Sequence, residues 1–208
     1  MIIFAYKISG MKKIIGFLLA TVIILSGVAV HAQENEEGFS NSESGYTKGM
    51  GGPIISFSTI HGEFSVFMGG GGGVVLKNFI LGVYGMGQAS QIEDWHNSNR
   101  FVSIWHGGIW LGYSFLPDKI VHPVIELNAG MGNFSTFAQN DYSSLYTDKT
   151  GVFVLSPKLG VEFTVSSFVK IGVGGEYRYA NFTKPNTSYS SKDISAPAGY
   201  ITIKLGEF

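Results

Sequence analysis

The sequence predicts an all-β fold, an eight-stranded antiparallel up-and-down transmembrane β-barrel. Three observations predict it. From Gly49 onward apolar and polar residues alternate segment after segment, and a period of two sends one set of side chains to each face of a strand. A secretory-type leader precedes that region. Only 14% of the residues are charged, against about 25% in soluble domains, too few to coat a water-soluble barrel of this size.

Lys12 and Lys13 form a positive n-region, Ile14 to Val30 is an almost unbroken apolar run, and Val30-His31-Ala32 offers small residues to signal peptidase. This pattern predicts a signal peptide over residues 1–32, cleaved after Ala32, with Met11 as an alternative start. The rival reading is a membrane anchor. Against it, polar Gln33-Glu34-Asn35-Glu36-Glu37 follows without a cationic stop-transfer flank. Residues 33–49 are polar and aperiodic and read as a flexible periplasmic tail, and residues 50–208 as the barrel. Loss of Lys7, Lys12 and Lys13 with the leader leaves 11 basic against 15 acidic residues, a net of −4. No basic face points to nucleic acid. The absence of cysteine excludes disulfides, a lipoprotein anchor and thiolate metal sites.

Eight strands are predicted, at 53–60, 63–76, 79–91, 101–115, 121–137, 151–165, 168–180 and 197–207. Lys77-Asn78, residues 116–120 and Ser166-Ser167 are short connections, whereas 92–100, 138–150 and 181–196 are long and polar. Short periplasmic turns alternate with long extracellular loops in outer-membrane barrels. His61-Gly62 is a tight turn on the long-loop side.

The faces are clearest in the second half. Phe153, Leu155, Leu159, Val161 and Phe163 oppose Ser156, Lys158 and Glu162, while Val169, Ile171, Val173, Tyr177 and Tyr179 oppose Lys170, Glu176 and Arg178. Ile201, Ile203 and Leu205 oppose Tyr200, Thr202 and Lys204. In the first half Phe64, Val66 and Met68 share a parity, but Phe67 and Val75 fall on the other face. A lipocalin-like soluble barrel would turn the apolar set inward. The membrane reading is favoured by a thin, glycine-rich polar face and by Trp105, Tyr113, Tyr177 and Tyr179 near strand ends, as in an interfacial girdle. It is favoured too by an aromatic last residue, Phe208, although that residue is out of phase with Ile201, Ile203 and Leu205. Keeping both polar faces of the 151–165/168–180 hairpin together requires either Glu162 opposite Lys170 or Lys158 opposite Glu176. A strictly two-residue turn would give neither.

The run Gly69-Gly70-Gly71-Gly72-Gly73 continues into Val74-Val75-Leu76 rather than into a helix. It therefore reads as strand allowing a bend or close approach in a narrow lumen, not as a phosphate loop.

With the apolar faces outward, the polar faces converge in the lumen. They bring together Glu126, Lys158, Glu162, Lys170, Glu176, Arg178 and Lys204 as a charge network, with His106 and His122 beside them. Eight strands enclose a space that side chains just fill, and buried charges must pair. Mutual neutralisation is the plain reading of this set, and a narrow polar pathway the sharper one. His61, His96 and His106 lie toward the extracellular half, but no serine or acid stands at a telling spacing from them. No catalytic residue, metal site or cofactor is assigned.

Gly51-Gly52-Pro53-Ile54-Ile55 through Ile60-His61-Gly62, the glycine run, Gly82-Val83-Tyr84-Gly85-Met86-Gly87, Phe153-Val154-Leu155-Ser156-Pro157, Glu176-Tyr177-Arg178-Tyr179 and Ile203-Lys204-Leu205-Gly206-Glu207-Phe208 carry a resemblance. The chain resembles a group of uncharacterised outer-membrane β-barrel-like proteins of Bacteroidota. The resemblance implies location in the cell outer membrane and the fold, and brings no activity or site residue. The expected partners are outer-membrane lipid and the barrel-assembly machinery. The expected role is structural or surface-interacting through the extracellular loops. The alternatives are a small-solute channel and, further off, a lipid-modifying barrel enzyme.

Overall fold

The computed structural model describes residues 47–138, 148–184, 188–206 and 208. The predicted leader, most of the predicted tail and the centre of the 138–150 loop lie outside the described residues. Nine strand segments follow one another: β1 (Thr47–Ile60), β2 (Glu63–Leu76), β3 (Phe79–Gln88), β4 (Ile92–Asp94), β5 (Asn97–Ser114), β6 (Val121–Ala138), β7 (Asp148–Thr164), β8 (Val169–Phe182) and β9 (Ala196–Gly206). One helical turn, α1 (Ser191–Ile194), precedes β9. β3 and β4 both pair with β5 and form one interrupted stave, so the segments make eight staves. β1 pairs with β9, and β3 with β5, so the antiparallel sheet closes on itself. Closure removes the open edges that lipid could not solvate.

The hairpins set the register. His61 and Gly62, at φ 48° and 81°, are both left-handed, the pattern of a type I′ turn whose twist matches its strands. Between β7 and β8, Val165 donates its N–H to Val169 O at 2.9 Å, so Phe168 joins Ser166 and Ser167 in the turn. The extra residue keeps both polar faces together and sets Lys158 directly opposite Glu176. A one-residue slip would have sent one strand's charges outward.

Most strand ends shift by one to four residues from the sequence expectation, and two differences are larger. β1 begins at Thr47, because Gly49 to Gly52 pair with Val74 to Gly71 of β2. Glycines carry no alternation, so this pairing leaves no signature in the sequence. The expected 92–100 loop is instead a hairpin, with Asp94 opposite Asn97 across Trp95-His96.

The glycine run is strand throughout. A side chain begun at Gly71 would come within 2.9 Å of the Trp110 ring, and Trp110 is fully buried. Glycine here makes room for an indole in the lumen.

Polarity is inside out. Lys158, Glu162, Lys170 and Arg178 of β7 and β8 are buried, while Leu159 of β7, Met131 of β6 and Val83 of β3 are about two-thirds exposed. The exposed apolar band continues around the barrel through Ile109, Val173 and Ile201. A contiguous surface of this size belongs against lipid. Val173 sits on it between Val161 and Ile201. Val173→Arg should therefore destabilise the barrel in bilayers by about 2–4 kcal/mol at mid-membrane depth. Denaturant titration in lipid vesicles measures this, and an unchanged midpoint would favour a water-facing exterior.

Candidate functional site

The lumen is built from one parity of every stave. Near the turn end, β6, β7 and β9 contribute His122, Glu126, Glu162 and Lys204. Lys204 Nζ donates to Glu126 Oε1 at 2.6 Å and to Glu162 Oε1. His122 is fully buried, with Nε2 3.2 Å from Glu162 Oε2 and Nδ1 3.0 Å from the Lys119 carbonyl. One ammonium thus joins two carboxylates from two other staves, and an imidazole closes the group. Lys204 also lies 5.0 Å above the Trp110 ring.

A second group lies further along the lumen. Lys158 Nζ is 3.2 Å from Glu176 Oε2, an ion pair rather than a well-aligned hydrogen bond. Ser56 Oγ donates to the other Glu176 oxygen at 2.5 Å. His106 Nδ1 lies 3.2 Å from the Tyr84 hydroxyl. Arg178 makes no carboxylate bridge among the described residues. It donates to the carbonyls of Ile194 (3.1 Å) and Thr59 (2.9 Å) and lies 4.2 Å over the Phe67 ring. Lys170, at the turn end, has Glu162, Lys204, Lys48 and Asp118 as its charged neighbours.

Phe208 packs against this interior, with Lys170 4.5 Å over its ring and its backbone oxygen accepting from Lys48 at 2.5 Å. Its even number places it in the lumen's parity, which accounts for its being out of phase with the lipid-facing residues of β9. Beside the second group, Ser56, Phe67, His106, Asn128, Ser156 and Glu176 border a void of about 220 Å³ that nowhere admits a water-sized sphere.

All nine residues expected in the lumen are buried there, but they do not form one network. Glu126, Glu162, Lys204 and His122 make one cluster and Lys158 and Glu176 another, while Arg178 and His106 serve other contacts.

The sequence reading missed the loop end. There the lumen is apolar, filled by Ile60, Ile92, Ile104, Phe134, Val154 and Ile194. Those on strands share the inward parity of the charges, so hydrophobicity on both faces hid the alternation, and Ile194 comes from α1. The segment before β9 covers this core. Ser190 caps α1 through a reciprocal capping box with Asp193, and Ile194 is fully buried. Trp95 stands at the centre of the cover. His61 stacks flat on it at 4.4 Å, and Tyr189 and Phe134 meet it edge-on at 5.3 and 6.4 Å.

Two acid–histidine contacts tie the cover together. Asp193 accepts the His61 N–H at its carbonyl (2.6 Å), and its Oδ1 lies 3.2 Å from His61 Nδ1. Buried Asp94 accepts from the Tyr189 hydroxyl (2.8 Å) and the His96 N–H (3.0 Å). His61 and Asp193 are 132 positions apart, so no local spacing could have revealed that partner. An open cavity of about 390 Å³ lies among these residues. Among the described residues, no group of three or more histidines and acids is placed to hold a metal ion.

A closed eight-stave barrel, apolar outside and charged inside, defines a class, the small outer-membrane β-barrels. No protein-family model matches the chain. No curated protein matches it either. Solved structures do. Neisserial surface protein A (NspA) shares 14% identity at a TM-score of 0.55, over 80% of this chain and 99% of that one. The attachment invasion locus protein Ail of Yersinia pestis shares 11% at 0.42, over 77% and 96%. OprG of Pseudomonas aeruginosa shares 10% at 0.38, over 77% and 92%. The likeness to the first is one of fold.

Removing Lys204 would strand two buried carboxylates. Lys204→Met should cost about 3–5 kcal/mol, the range for breaking a buried ion pair on one side. Adding Glu126→Gln and Glu162→Gln should recover much of that loss. Urea midpoints of the three proteins in detergent or lipid provide the measurement.

Proposed function

We propose that this protein is a plugged outer-membrane barrel that acts through its loop end, in a structural or surface-interaction role, and not as a pore. The observation that carries the reading is the filled lumen. Phe208, Lys170 and Lys48 occupy the turn end, paired charges the middle and the Trp95–Ile194 cover the loop end. Among the described residues, what faces outward at the loop end is then the part of the interior assembly that a partner can reach.

The remaining parts of the reading follow the general pattern of such barrels. The leader directs export and is cleaved after Ala32, and the tail stays periplasmic with the strand ends at Thr47 and Gly206. The barrel-assembly machinery inserts the sheet, and the loops face outward. The short motifs quoted above support grouping the chain with the Bacteroidota barrels.

Purified protein in planar bilayers should give no steady single-channel steps. A protease site inserted before α1 should be cut on intact cells. Regular conductance steps would replace this reading with the small-solute channel. Protection of the inserted site would reverse the orientation.

A further inference from the structure

We propose that the cavity at the loop end is a binding site for an uncharged saccharide. The inference deepens the surface-interaction reading above and rests on it.

The site is assembled from three separate connections. The β1–β2 turn brings His61, the β4–β5 turn brings Trp95 and His96, and the segment around α1 brings Tyr189, Ser190 and Asp193. Each is held from beneath. His61 is fixed by its stack on Trp95 and by Asp193, Tyr189 and His96 by Asp94, and α1 by Arg178 and the capping box. His61 holds this place at φ 48°, a left-handed conformation a residue other than glycine adopts at some cost. A turn shaped only for the hairpin would take glycine or asparagine at that position.

The chemistry of the lining narrows the ligand. The cavity, about 390 Å³, is within the range of small-molecule sites. Among the described residues no lysine or arginine lines it, so a phosphate, sulfate or carboxylate would meet no permanent cation there, and Asp193 would repel it. No metal-holding group is present among the described residues. It is open rather than a deep apolar slot, which leaves an acyl chain unshielded. What the lining does offer is flat ring surface beside short polar groups. The His61 and His96 side chains keep 45% and 48% of their surface open, and Asp193 and the serines supply acceptors and hydroxyls. A sugar ring has a C–H face that packs on such rings and a rim of hydroxyls that such groups bind. Rigid aromatic surface already fixed before binding keeps the entropic cost of association low.

The test uses the full barrel in phosphatidylcholine nanodiscs and saturation-transfer NMR, with two arms of oligosaccharides. One arm is released from the producing cell's own lipopolysaccharide, and the other consists of glycans released from glycoproteins. Binding in the first arm alone assigns the ligand to the protein's own membrane, and binding in the second to another surface. Either supports the proposal, provided that His61→Gly weakens it by about tenfold, the loss expected for one stacking contact. That substitution suits the left-handed backbone, so the turn should persist. A retained denaturant midpoint checks it, and if the midpoint falls, His96→Ala takes its place. Lys77→Ala, at the opposite end, should leave binding unchanged. The proposal is overturned by absence of binding in both arms, by binding that ignores the cavity variants, or by binding that requires sulfate or phosphate on the sugar. Conductance measured on the same preparation separates the two readings, because single-channel steps with saccharide binding intact would remove the plugged-barrel reading alone.

Discussion

Everything in this barrel depends on the contact between Lys204 and the carboxylates of Glu126 and Glu162. Eight staves enclose too little space for water to solvate a charge, so each lumen charge must find its partner on a neighbouring or facing stave. Such pairs do little for stability compared with apolar packing of the same volume, because desolvation offsets most of the attraction. Their value lies in register. The outer face of every stave is apolar, so lipid alone would accept several alignments of each strand. A slip by one residue exchanges the faces and would carry Lys158, Lys170 or Lys204 into hydrocarbon. Charged groups inside therefore specify the alignment that apolar groups outside leave open.

The same constraint accounts for the unequal legibility of the chain. Away from the loop end of β7, β8 and β9 the inward positions include Lys158, Glu162, Lys170, Glu176, Thr202 and Lys204, and the outward ones Leu159, Val173, Tyr177, Ile201 and Ile203. Alternation is then sharp, and both the fold and the hairpin register can be argued from it. In β1, β2 and β3 the inward positions include Ile54, Phe67, Ile80 and Met86, and glycine fills much of the rest. Neither pattern separates two faces. What was hidden there is the complement of what was visible. The glycines of β2 leave room for Trp110, which reaches across from β5 and lies under Lys204.

The candidate site divides along similar lines. The buried charges could be named from the sequence because their parity fixes their face. Which charge meets which depends on the stagger of staves around the closed ring, and this is why one network was expected where two clusters occur. The loop-end cavity could not be found at all. Its residues come from three connections, and the partner of His61 is brought in by the segment just before the final stave. Phe208 shows the reverse case, in which a phase error visible in the sequence marked a residue that packs with the lumen.

Arg178 joins the two halves of the interior. It lies in the charged parity of β8, two residues beyond Glu176, yet its guanidinium is spent on the carbonyls of Thr59 and Ile194. A lysine could not serve the same contacts as well. The planar fork presents donors in two directions at once while its face lies on an aromatic ring, here Phe67. Thr59 leads into the turn that carries His61, and Ile194 ends the helical turn that carries Asp193. By binding both, Arg178 fixes the spacing of the two connections whose side chains meet at the cavity. The buried charge that would otherwise lack a partner thereby transmits the rigidity of the lumen to the surface at the loop end.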